Sequence, residues 1–299
     1  MSTSLFETIT EALVDGRLPE GFRLPTEDGD AMFMDGAKDG ILVYHRSPGH
    51  ELTGEQAQLI TDAVERISGG EFYDAEELVW RIADEIGPLD AHDPLRNAIA
   101  QNAQRLELGN LFHFGMVLAQ SSDRREHVKV ALSILSLFQP DEAGKQVVRT
   151  LGLSDELTLF AAAAMSAWDD ANREYFALAQ KVRGWGRIHL VARLEPETEA
   201  IRHWLLTEGV HNDILPAYSA MPCFEKAGVP ALLEGDALSR EEFSGIRDIL
   251  LALTDEGPVP GLSAIEDAPK YIRLFLNHAK TISLSEEDNA AIASLRDKF

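Results

Sequence analysis

The sequence predicts an all-α chain of stacked helix pairs, an α-α superhelix with a small β-hairpin near its N-terminus. Three observations carry that expectation. From about Gln101 to the C-terminus, apolar residues recur at helical spacing in segments joined by short acidic turns. The clearest pair is Leu108, Leu111, Phe112, Gly115, Met116 and Ala119, a break at Ser121-Ser122-Asp123, then Val128, Ala131, Leu132, Leu135 and Phe138. Val130, Ile134 and Leu137 give the second helix another apolar face, as a helix sandwiched inside a stack needs.

The elements follow in order. Leu5, Ile9, Ala12 and Leu13 space a first helix that ends at Asp15-Gly16. Ala31–Met34 and Ile41–His45 flank Asp35-Gly36 and Asp39-Gly40, and aspartate-glycine pairs between apolar runs predict the hairpin. Thr53 with Gln56 three residues on has the form of a capping box and starts the helical region. Helices are expected at about 53–67, 74–86 and 94–119, broken at Gly69-Gly70 and Gly87-Pro88. Gln139-Pro140-Asp141 restarts a helix. Others are expected at about 155–168, 170–182, 185–194, 197–208, 213–221, 239–253, 268–281 and 285–297. The predicted organisation is a cap over residues 1–52 and a helical-repeat region over 53–299, packed together as one continuous unit.

Composition narrows the function. Fifty acidic against 27 basic residues give a formal charge of −23, which repels both nucleic-acid phosphates and anionic membrane surfaces. One cysteine, Cys223, excludes an internal disulfide and a cysteine-based metal centre. No apolar run approaches the roughly 20 residues of a membrane helix, and the N-terminus lacks the form of a signal peptide. A cytoplasmic setting is expected.

Catalytic motifs are missing. Gly144-Lys145 lacks the upstream glycine of a phosphate loop, and Gly184-x-Gly186 lacks its third glycine and a preceding strand. The nine histidines include no His-x-x-x-His pair, and Asp28-Gly29-Asp30 starts like a calcium loop but has Phe33 where glycine is needed. Cys223 would serve as a nucleophile only with a cationic neighbour such as His211; an inert buried thiol is the plainer reading. Asn212 or Asp213 is expected to cap the helix that follows. No catalytic residue, metal site or cofactor is therefore assigned.

One charge anomaly remains. Residues 181–193 carry Lys181, Arg183, Arg187 and Arg193 and no carboxylate. On a helix Trp185, His189 and Arg193 stack at i, i+4 and i+8, with Arg183 and Arg187 one row over. Arginine and tryptophan dominate binding hot spots, so Trp185, Arg187, His189, Arg183 and Arg193, with Tyr218 beside them, are the candidate partner surface. An acidic peptide segment of a protein partner suits that ridge. The alternative is internal neutralisation by Asp169, Asp170, Glu195, Glu197 and Glu199.

Some of these segments resemble a known repeat class. Asp123 followed by Val128-Lys129 is similar to the inter-helix turn and second helix of HEAT repeats. Trp185-Gly-Arg187-Ile-His189-Leu190-Val-Ala-Arg193-Leu194 resembles the same second helix, and Ile214-Leu215-Pro216 resembles a proline-bent first helix. The resemblance covers roughly residues 100–225 and implies a HEAT- or armadillo-like superhelix acting as an interaction or scaffold module. The whole chain is also similar to a bacterial family some of whose members carry a limonene hydroxylase label. That likeness implies an enzyme or binding protein for an apolar small molecule, with a cofactor from elsewhere. An anion-sensing module using the basic ridge is a third expectation.

Overall fold

Residues 3–25, 33–46, 51–257 and 259–298 are described by a computed structural model. They form seventeen α-helices and no strand; a single bridge joins Val14 to Arg17. The contacts divide the chain into two compact units, Met1–Gly186 and Arg187–Phe299. Residues 1–52 thus belong to the same unit as the helices up to 186.

The first unit holds α1 (Leu5–Ala12), α2 (Ala37–His45), α3 (Gly54–Ser68), α4 (Phe72–Arg81), α5 (Pro88–Asn102), α6 (Leu108–Ser121), α7 (Arg125–Leu135), α8 (Glu142–Gly152), α9 (Asp155–Met165) and α10 (Ala171–Ala179). Local chemistry sets its boundaries. Ser4 with Glu7 and Thr53 with Gln56 form reciprocal capping boxes, and Asp141 accepts from the Gly144 amide. α4 runs into a π-helical turn, Ile82–Ile86, which Gly87 ends at φ 88° before Pro88 opens α5. Helix α6 packs on α7 and α8 on α9, while α7 meets α9 and α6 meets α8. Every residue of α7 except Glu126 is buried, so both of its predicted apolar faces are used.

The 94–119 segment is two helices. The chain turns at 103–107, where the Glu107 amide donates to Ser68 Oγ at 2.8 Å and Asn110 Nδ2 donates to the Ser68 carbonyl. The end of α3 dictates that break, which local periodicity does not show.

Among the described residues the expected hairpin does not form. Ile41–His45, read as a strand, lies in α2, and Ala31 and Met32 fall outside the described residues, as does Asp28-Gly29-Asp30. Asp39 and Gly40 are buried rather than placed in a turn. A Cβ on Gly40 would come within 2.2 Å of the Trp185 ring, so glycine lets α2 sit directly on that indole. Gly36, in the left-handed region at φ 76°, begins the helix and donates its amide to Glu156 Oε2 at 2.7 Å. Asp39 then lies 2.7 Å from Lys129 Nζ, and Asp35 lies 3.1 Å from Arg125. Tertiary contacts override the strand composition of Ile-Leu-Val-Tyr.

Gly40→Ala is expected to cost ~1–3 kcal/mol by overpacking. Gly54→Ala, where a Cβ meets nothing within 4 Å, should leave stability near wild type. Urea midpoints of the two variants check the contrast; equal midpoints would mean that α2 is not seated on Trp185.

Helix α11 (Gly184–Arg193) begins in the first unit and continues into the second. The second unit continues with α12 (Glu199–Thr207), α13 (Ala217–Lys226), α14 (Val229–Glu234), α15 (Arg240–Ala252), α16 (Ala268–His278) and α17 (Glu286–Lys298). α15 is its centre, packed against α12, α13, α16 and α17, with the Phe243 and Phe275 rings stacked at 4.6 Å. Pro216 immediately precedes α13 instead of bending a helix, and the Asn212 carboxamide accepts from the Ile214 and Leu215 amides, pinning that turn rather than capping α13.

Candidate functional site: a groove between α4 and α6

The predicted basic ridge is not an exposed face. Trp185 is 4%, Arg187 6%, His189 2% and Tyr218 8% exposed. The physical reason is that α11 is apolar on two sides and its cations are met by backbone oxygen. Arg187 Nη1 donates to the His211 carbonyl at 2.7 Å, and its guanidinium lies over the Trp204 ring. Arg193, half-buried, donates to the His189 carbonyl at 3.2 Å; Lys181 and Arg183, ahead of the helix, are exposed. Burial, aided by Arg193, pulls His189 down to about 3, so the imidazole is neutral near pH 7. Several acids expected to neutralise the ridge are engaged elsewhere: Asp170 with Lys145 and Arg173, Glu199 with Arg202, and Glu195 with Lys226. The spacing argument holds for this helix, but its exposure does not.

Cys223 is buried, and burial raises its thiol well above the ordinary range, so it is no ready nucleophile. A polar cavity of about 530 Å³ lies beside α2 and the π-turn. Its carboxylates are already paired: Asp39 and Glu126 with Lys129, Asp84 with Arg124, Glu85 with Arg81, and Asp90 with Arg46. Among the described residues no group of three or more His, Cys, Asp or Glu is placed to hold a metal ion.

The apolar surface lies elsewhere. Helices α4 and α6 both pack on α3 and leave between them a groove of about 350 Å³. Phe72, Tyr73 and Glu76 form one wall; His113, Phe114, Val117, Leu118 and Ser121 form the other. The Phe72 ring stands 5.8 Å from those of both His113 and Phe114, which fixes an aromatic floor. Tyr73 is 87% and Val117 48% exposed, well beyond what a core-facing stripe requires. Trp80, seven residues after Tyr73 and thus on the same side of α4, is also exposed and stacks flat on His127. Burial and the Arg124 charge pull His127 down to about 4, which keeps that stacked ring neutral.

The α6 wall has a composition unlike the rest of the chain. From Leu108 to Ser121 it contains no Asp, Glu, Lys or Arg, and its outward stripe is Gly109, His113, Val117, Gln120 and Ser121. A solvated helix face normally carries charge, the more so in a chain of −23. That charge-free run was visible in the sequence. Phe112 and Met116, expected in the core stripe, are only half-buried, and Phe114 and Leu118 take the buried positions beside Leu111, Gly115 and Ala119.

Comparison of the chain with known protein families, characterised proteins and solved structures returned no match. Among the described residues no helix is long and apolar enough to cross a membrane.

Proposed function

We propose that the protein is a HEAT-like helical interaction or scaffold module that takes a segment of a protein partner into the groove between α4 and α6. The observation that carries this reading is the pair of exposed apolar side chains Tyr73 and Val117, standing over a floor of half-buried Phe72 and buried Phe114. Large apolar side chains on a water-exposed helix pair offer affinity only when something covers them. The buried ridge on α11 no longer favours an acidic peptide.

A photo-crosslinking residue at position 117 in cells of the source organism, followed by titration of the purified captured protein, tests the proposal. A discrete adduct whose purified partner binds wild type, and binds Tyr73→Ala about tenfold or more weakly, supports it. A partner that binds both proteins equally sinks the groove as the site, as does the lack of any adduct at 117.

A second reading, a site for an apolar small molecule, draws on the same volume and lining. It expects limonene to raise the melting temperature of wild type but not of Val117→Asp. No shift in either would remove that reading.

A further inference from the structure

We infer that the segment seated in the α4–α6 groove is a basic amphipathic helix, an inference that rests on the groove being the interaction site. The charges around the groove are one-sided. On α4 and its entry, Arg66 is taken by Glu71 and Asp74, and Arg81 by Glu85. Glu76, in the wall itself, and exposed Glu77 one position on lie within ion-pair distance of no basic side chain among the described residues. The α6 wall opposite brings no fixed charge of either sign.

Arg81 acts on Glu77 through space but forms its contact with Glu85. An occupant therefore meets an apolar floor and wall along one edge and, along the other, carboxylates that no basic side chain contacts. A helix with leucine-like residues at i, i+3, i+4 and i+7 covers Phe72, Tyr73, Phe114 and Val117, while lysine or arginine on its flank reaches Glu76 and Glu77. Length agrees as well: α6 offers 14 residues, about 21 Å, which accommodates a partner helix of about four turns. An acidic segment would meet like charge at that edge, and a second copy of this chain, itself at −23, would meet the same repulsion.

The test uses three synthetic peptides of one length. The first carries leucines at helical spacing with lysines elsewhere, the second the same leucines with glutamates, and the third the leucine–lysine composition with its spacing scrambled. Fluorescence anisotropy is read against the full chain, the exposed double variant Tyr73→Ser/Val117→Asp and the rim variant Glu76→Gln/Glu77→Gln. Circular dichroism and melting must first match wild type, which exposed positions permit.

The inference expects the amphipathic leucine–lysine peptide to bind wild type about tenfold or more tightly than the other two. It also expects binding to be lost in the groove variant, and to be weaker and less salt-dependent in the rim variant. Equal binding of the lysine peptide to wild type and groove variant would place it on the general acidic surface and overturn the inference. Lysine and glutamate peptides bound alike, both lost in the groove variant, would keep the groove and refute the charge rule. Binding of neither peptide would remove both. A concentration-dependent dimer abolished by Val117→Asp would make a second copy the occupant instead.

Discussion

Replacing Lys129 by alanine is expected to cost about 3–5 kcal/mol, because it removes the cation from a buried cluster of anions. The ammonium is 0% exposed and faces Asp39 at 2.7 Å, Glu126 at 3.1 Å and Glu156. Burial alone would push its pKa down; the three carboxylates outweigh that and hold it above the ordinary lysine value, so it stays charged across the accessible pH range. Without it the anions face one another in a low-dielectric interior, with only Arg125 still beside Glu156 and Asp35. Lys129→Met separates charge from shape, since methionine keeps most of the volume. Urea denaturation should place both variants well below wild type, and hydrogen exchange should show the loss concentrated in α2, whose Asp39 is tied to that ammonium. A methionine variant as stable as wild type would show that the cluster contributes nothing beyond packing.

The same cluster shows what a sequence can and cannot convey. The helices were legible because their determinants are local: the Thr53–Gln56 box, the Gly87-Pro88 break and the two-faced pattern of α7 all depend on residues a few positions apart. The status of Asp39-Gly40 was not, because aspartate and glycine serve a turn and a packed joint equally well. Only the arrival of Lys129 and Trp185, ninety and more residues later, decides between them. The α11 ridge failed for a related reason. Periodicity places Trp185, His189 and Arg193 on one side, but carries no information on whether another element, or a carbonyl such as that of His211, covers that side. The groove sits between these cases: the charge-free run of α6 is a sequence fact, whereas its alignment with Phe72 and Tyr73 across α3 is a tertiary one.

Asp155 supplies the second large effect, and it is a pH effect. Burial raises its carboxyl to about 7, although the Gly186 and Trp185 amides, donating at 2.7 and 3.1 Å, pull the other way; the neighbouring acids Asp35 and Glu156 add to the rise. The folded chain therefore binds this proton where the unfolded chain, with an ordinary aspartate near 3.8, has released it. Stability must fall as pH rises through that window, at up to ~1.4 kcal/mol per pH unit from this one group. His127, lowered to about 4, and His189, lowered to about 3, act in the opposite sense, because their folded forms resist protonation. The raw pH profile of wild type thus mixes two slopes, and the difference from Asp155→Asn separates them, since both histidines are common to the two proteins. Asparagine keeps an acceptor for one of the two amides and loses the other at a cost independent of pH. Urea midpoints taken from pH 4.5 to 8.5 should show the variant gaining on wild type steadily up to about pH 7 and levelling beyond it. A difference that stays flat across the whole range would mean that Asp155 ionises normally, and that the start of α11 is held by a carboxylate at little cost.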